Sequence, residues 1–251
     1  MKELFFYDPM CSVGNDFLGK RSSSTPGELL AEMDFYGIDK ALVQYNNLAG
    51  AGAVYANKWI ADFISSDTSD RLRGVWCLLP EQCGELPDDL FSAMSEKKIC
   101  ALTLDPFDHR WVAGKYSIGK IMAEAAERKI PVLMNYYNRK WEELYRFVET
   151  FPDNRLFIHD TTRHGTDRLV RPLLEYFPNV YYMLTAYWVP EGIRDLAVLY
   201  GADRLLYASC FPTYNHGSMM FALKNSGLDM ASIAKIAGVN MQNLLEESWG
   251  K

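Results

Sequence analysis

Apolar positions along this chain fall into two alternating periods. Short runs rich in Leu, Val, Ile and aromatic residues have the length and turn-flanked borders of buried strands. They lie near Leu4–Tyr7, Ala41–Gln44, Gly74–Leu78, Ala101–Leu104, Pro131–Met134, Leu156–Ile158, Val180–Leu184 and Leu205–Tyr207. Between them, apolar residues recur at three-to-four spacing with polar residues on the other side, which predicts amphipathic helices.

The helical segments carry start and stop signals. In "STPGELLAEMDFYG", Thr25 is placed to cap, Pro26 sits at the first helical position, Glu28 follows three residues after the cap, and Gly37 stops the helix. "GKIMAEAAERK" ends in basic residues that suit the negative end of a helix dipole. "KWEELYRFVETFP" and "TDRLVRPLLEYFP" are closed by Pro152 and Pro178, and Asp229 opens a tail that reads as two short helices. Strand–helix alternation repeated eight times predicts a (β/α)8 TIM barrel with a short C-terminal helical tail. An open doubly wound sheet is the runner-up, but "YDPMCSVGND" lacks the glycine-rich first turn that such sheets usually carry.

Length fits this architecture, since 251 residues is the ordinary size of one such barrel, and no linker or repeat divides positions 1–251. The 49% hydrophobic and 14% aromatic content can fill a large core, and 23% charged residues argues against a disordered chain. A net charge of −6 with no basic run makes nucleic acid and anionic membranes poor partners. The start, "MKELFFYDPM", fails as a signal peptide, and no run approaches the roughly 18 apolar residues of a membrane helix. Five cysteines without a Cys-x-x-Cys pair read as free thiols in a reducing cytoplasm rather than a disulfide frame or a structural zinc site.

Candidate chemistry gathers where strands end. Cys210 follows the last strand and reads either as a nucleophile assisted by His159 or His216, or as a small apolar filler. Its neighbours, Ala208 and Ser209 before it and Phe211 and Pro212 after it, suggest an apolar setting that raises a thiol pKa. After the fourth strand, Asp105, His109 and Arg110 could form an anion clamp or an ordinary solvated loop. Arg163 and His164 follow the sixth strand and serve either that face or the start of a helix. Tyr45, Asn46, Asn47, Tyr187 and Trp188 supply aromatic walls and amides suited to a neutral or aromatic small molecule, or simply pack the loops.

At this point the chain resembles the amidohydrolase-related family of TIM-barrel hydrolases and decarboxylases. The likeness rests on "FYDPMCSVG", "TPGELLAEMDFYGIDKALV", "DRLRGVWCLLP", "IPVLMN", "FPDNRLFIHD" and "RLLYASCFP" followed by "IAKIAGVNMQNLL". The resemblance implies a metal-dependent hydrolase or lyase fold, yet its ligand positions are substituted. The family's first-strand His-x-His pair is Met10 and Ser12, two and four residues after Asp8. The fifth-strand histidine is Asn135. The histidine after the sixth strand aligns with Asp160, with His159 one residue early. The eighth-strand aspartate is Cys210. A catalytic zinc site needs about three ligands of His, Asp, Glu or Cys type, so no metal and no cofactor are expected. His159 and Asp160, adjacent on extended backbone, cannot both face the pocket.

The reading that follows is a hydrolase of a small amide, ester or lactone without the usual divalent metal, with Cys210, His159 and Asp160 at its centre. Asn46, Asp105, His109, Arg110, Asn135, Arg163 and Tyr187 would surround the substrate. Asn46, Asp105, Asn135, Asp160, Tyr187 and Cys210 are expected to line one cavity at the carboxyl face. The alternative is a pseudoenzyme that keeps a small-molecule pocket. A rebuilt metal-ligand set is a third option, and homo-oligomerisation stays open.

Overall fold

The computed structural model describes residues 4–15, 23–46, 48–134, 140–160 and 167–250. Eight parallel strands run in sequence order around one sheet, each hydrogen-bonded to the next. They are β1 (Tyr7–Val13), β2 (Lys40–Tyr45), β3 (Leu72–Cys77), β4 (Ile99–Leu104), β5 (Val132–Met134), β6 (Leu156–His159), β7 (Val180–Leu184) and β8 (Leu205–Tyr207). Helices α1 (Pro26–Tyr36), α2 (Leu48–Ala51), α3 (Ala53–Ser65), α4 (Leu90–Glu96), α5 (Lys115–Glu127), α6 (Trp141–Thr150), α7 (Asp167–Tyr176) and α8 (Gly192–Tyr200) connect them. The chain ends in α9 (His216–Lys224), α10 (Met230–Ala234) and α11 (Asn240–Trp249). This is the expected TIM barrel with a helical tail.

Local signals act as the sequence suggests. Thr25 Oγ1 accepts from the Glu28 amide at 3.3 Å, and Gly37 ends α1 at φ 77°, where a Cβ would be strained. Asp229 caps α10 through the Ser232 amide at 2.9 Å. Inside the barrel, Leu42, Val75, Ala101, Leu133, Phe157, Met183 and Leu206 form one buried cluster. Alternate strand residues such as Val43, Leu102, Val132 and Ile158 pack outward against the helices. Helix α11 covers the amino-terminal face: Trp249 Nε1 donates to the Cys100 carbonyl at 3.0 Å, and Arg155 Nη1 to the Leu244 carbonyl at 2.9 Å.

The first strand departs from expectation. It runs Tyr7–Val13 rather than Leu4–Tyr7, because a register shift between Asp8 and Cys11 absorbs Pro9 within the strand and breaks the simple apolar period. Met10 and Ser12 therefore lie inside β1.

Closure between β1 and β8 has little backbone support. A single parallel bridge joins Cys11 to Phe211, with the Ser12 amide on the Phe211 carbonyl at 2.8 Å. The fully buried Asp8 carboxylate does the rest. Its Oδ1 accepts from the Met10 amide at 3.0 Å and the Ser209 amide at 3.1 Å. Its Oδ2 accepts from His216 Nδ1 at 2.9 Å and Cys11 Sγ at 3.4 Å. Burial alone would push this carboxyl up, but the His216 hydrogen bond and charge, with the Ser209 and Met10 donors, hold it below the usual carboxylate range.

Because the folded Asp8 pKa lies below the unfolded one, its contribution is complete above about pH 4 and lost as pH falls further. Asp8→Asn is expected to cost about 3–5 kcal/mol at pH 7. The gap to the parent should narrow in urea titrations below pH 4. A substitution costing under about 1 kcal/mol, with no change in acid sensitivity, would show that the seam does not depend on this group.

Candidate functional site

The carboxyl ends of the strands open onto a cavity of about 320 Å³. Among the described residues, β1 contributes Met10 and Ser12, and the end of β2 contributes Gln44, Tyr45 and Asn46. His159 comes from the end of β6, while Cys210, Thr213 and Tyr214 follow β8, and Leu48 completes the wall. Gln44 Nε2 donates to Ser12 Oγ at 3.3 Å, which ties the two strands at the rim. Gly14 sits at φ 87°, and a Cβ there would come within 2.6 Å of the Tyr45 ring, so only glycine lets that ring lie against the turn.

His159 has the least ordinary environment. It is 4% exposed, and among the described residues neither ring nitrogen has a hydrogen-bond partner. Burial pushes its pKa down to about 4, with only partial opposition from Asp160. The imidazole is therefore neutral at pH 7, with one N–H to give and one lone pair to accept. Phe157, two residues earlier, points into the barrel, and the period of two brings His159 to the mouth.

Cys210 shares that wall but not that readiness. Its backbone lies in the left-handed region at φ 58°, and a cis Phe211–Pro212 bond follows. Burial raises the thiol pKa to about 11, the Asp8 charge adds to this, and the Thr213 hydroxyl partly opposes it. The expected apolar setting is present, supplemented by a buried anion. His216, the other candidate activator, does not line the cavity; it is fully buried on Asp8 and stacked on Phe211 at 4.9 Å.

Several expected residues sit elsewhere. Asp160, aligned with the family histidine, is buried outside the cavity wall, and its carbonyl accepts from Thr185 Oγ1 at 3.0 Å; the strand register gives the pocket His159 instead. Asp105 is buried and accepts from the Asp108 amide at 3.3 Å, with burial raising its pKa. His109 is committed to the Leu48 carbonyl through Nε2 at 3.1 Å and faces Cys77 Sγ at 3.8 Å through Nδ1. Arg110 is exposed in the same turn, so no clamp over the mouth forms from these three. Tyr187 is 2% exposed and packs edge-on against Tyr182 in the layer beneath the helices. Thus Asn46, His159 and Cys210 converge on the cavity, while Asp105, Asp160 and Tyr187 do not. Asn47, Asn135, Arg163 and His164 lie outside the described residues. Gln44, Thr213 and Tyr214 were not singled out from sequence, and only their distance from strand ends could have marked them.

No family model matches the chain, and no curated protein matches it. Solved structures do. An uncharacterised TIM-barrel protein from Bordetella bronchiseptica is 16% identical at TM-score 0.72, covering 98% of this chain and 99% of its own. A dihydroxybenzoic acid decarboxylase from a Polaromonas species, solved with manganese and 2-nitroresorcinol, is 15% identical at TM-score 0.73, covering 98% and 97%. A probable 2-pyrone-4,6-dicarboxylic acid hydrolase from Acinetobacter baumannii, with citric acid bound, is 12% identical at TM-score 0.69, covering 96% and 98%. These likenesses bear out the TIM-barrel fold that the resemblance read from sequence implies.

A manganese-bound neighbour raises the question of metal. Among the described residues, the mouth offers one imidazole, one protonated thiol, a thioether, the neutral hydroxyls of Ser12, Thr213, Tyr45 and Tyr214 and the amides of Gln44 and Asn46, a set that does not fit a divalent centre needing about three strong ligands. The described His, Cys, Asp and Glu residues form one group of three with ligand atoms within 4.8 Å, namely Asp8, Cys11 and His216. That group is the seam, where four donors already occupy the carboxylate.

A thiol titrating near 11 is thiolate at pH 7.5 roughly two orders of magnitude less often than a reference cysteine. Iodoacetamide is therefore expected to label exposed Cys83 well before Cys210, and His159→Ala should not slow Cys210 further. Fast, histidine-dependent labelling of Cys210 would overturn this view of the site.

Proposed function

We propose that this barrel hydrolyses a small carbonyl compound, an amide, ester or lactone, bound in the mouth cavity, and does so without the usual divalent metal centre. The observation that carries this reading is His159, a buried neutral imidazole in the cavity wall with neither nitrogen partnered among the described residues. It is the one described lining group able to take a proton at neutral pH.

The lone pair of His159 removes a proton from water as the oxygen attacks the substrate carbonyl. The resulting imidazolium returns that proton to the departing amine or alcohol as the C–N or C–O bond breaks. Amide and hydroxyl groups of Asn46, Gln44 and Thr213 line the same space and suit hydrogen bonding to the carbonyl oxygen. Cys210 stays protonated and shapes the wall rather than attacking. The five free cysteines support a reducing compartment such as the cytoplasm, and among the described residues no helix is long and apolar enough to cross a membrane.

A panel of small lactones, esters and amides tests this reading. Since the base works unprotonated, kcat/KM should be flat from pH 6 to 8 and fall tenfold per unit only below about 4. His159→Gln should lower it by about 10²- to 10⁴-fold, and Cys210→Ser by no more than a few-fold. Loss of activity in Cys210→Ser, or a limb near pH 6.5, would contradict the scheme. Saturable, His159-dependent binding without turnover across the panel would favour the binding-only alternative.

A further inference from the structure

A second cavity, of about 350 Å³, opens on the opposite, amino-terminal face of the barrel. Its floor is made by the first inward-facing residues of four adjacent strands: Tyr7 of β1, Lys40 of β2, Arg73 of β3 and Cys100 of β4. The pairing of Tyr7 with Lys40, and of Leu42 with Arg73, sets these side chains side by side. Helix α11 supplies the roof through Gln242 and Trp249. Such a layer in a barrel is ordinarily apolar, and here it holds two cations and a phenol.

These groups are under-used by the fold. Tyr7 is 2% exposed, and its hydroxyl has no hydrogen-bond partner among the described residues. Burial raises the phenol pKa, so it remains a neutral donor, and the Arg73 charge acts on it directly. Arg73 uses Nη1 for Asp70 at 3.1 Å and for the Leu72 carbonyl at 2.9 Å, while Nε and Nη2 have no partner among the described residues. Asp70 is shared with Lys98 at 2.9 Å, so it does not neutralise Arg73 alone. Lys40 Nζ donates to Gln242 Oε1 at 3.2 Å, and Glu246, also at the rim, accepts from Gln242 Nε2 at 2.7 Å. Lys40, Arg73 and Lys98 thus face two carboxylates, leaving one positive charge in excess on a chain whose net charge is −6. A free guanidinium edge beside an unpaired hydroxyl is an arrangement that recognises an oxyanion.

We infer that this amino-face cavity is a binding site for a small oxyanion, a carboxylate or a phosphate, separate from the mouth at the other end of the barrel. Arg73 receives the anion through Nε and Nη2, the Tyr7 hydroxyl donates to it, and Lys40 balances its charge. The indole of Trp249 lies against the body of the ligand.

The test follows the Trp249 indole ¹⁵N–¹H resonance of the full chain during titration with inorganic phosphate and, separately, with benzoate, at constant chloride. A saturable shift with at least one anion is expected, and which one binds tighter identifies the source. Tyr7→Phe should weaken binding about three- to tenfold and Arg73→Gln at least tenfold, whereas His159→Gln at the mouth should leave it unchanged. Should Arg73→Gln fail to fold, Lys40→Gln provides the charge test, with weakening of several-fold. No saturable shift with either anion, or a shift indifferent to Tyr7→Phe and to Lys40→Gln, would overturn the assignment.

Discussion

The buried carboxylate of Asp8 is the interaction on which the rest of the barrel depends. A parallel barrel must close its last strand on its first, and here the backbone supplies one bridge for that purpose. Asp8 turns the gap into a joint by accepting from β1, from the chain after β8 and from the start of α9. An unpaired carboxylate in this place would cost several kcal/mol, about what most single substitutions never approach. With four donors it instead fixes the positions of Met10, Ser12 and Cys210, three residues that define one side of the mouth.

Burial then decides which of the mouth groups can act. The same loss of water that lowers the pKa of His159 raises that of Cys210, since in each case the charged form is disfavoured. Asp8 adds to the effect on the thiol, so the anion that closes the barrel also quiets the cysteine above it. The result is a neutral acid–base group beside a protonated sulfur. That combination suits proton transfer to and from water better than covalent catalysis.

Much of the fold could be read from the chain because its local and global preferences agree. Short apolar strands, Thr25, Gly37 and Asp229 all behave as their chemistry suggests. The first strand was misplaced because Pro9 and its bulge interrupt the period that marks a strand. The site was less legible. Strand ends point to Cys210 and Asn46, which line the mouth cavity, but one residue of register separates His159 from Asp160, and an alignment without side-chain direction does not resolve it. Asp105, His109 and Tyr187 looked like site residues, yet each is spent on packing or loop hydrogen bonds. The Asp8–His216 contact spans 208 positions, and no local pattern announces a pairing of that range.

In the proposed function, this mouth works through the neutral His159 imidazole and the carbonyl-binding amides around it, without a divalent ion. Anomalous diffraction from crystals soaked in manganese or zinc tests it most directly, because it locates an ion rather than merely counting one. No anomalous peak is expected in the cavity bounded by Met10, Ser12, His159 and Cys210. A well-occupied peak there, ligated by His159 and Cys210, would contradict it.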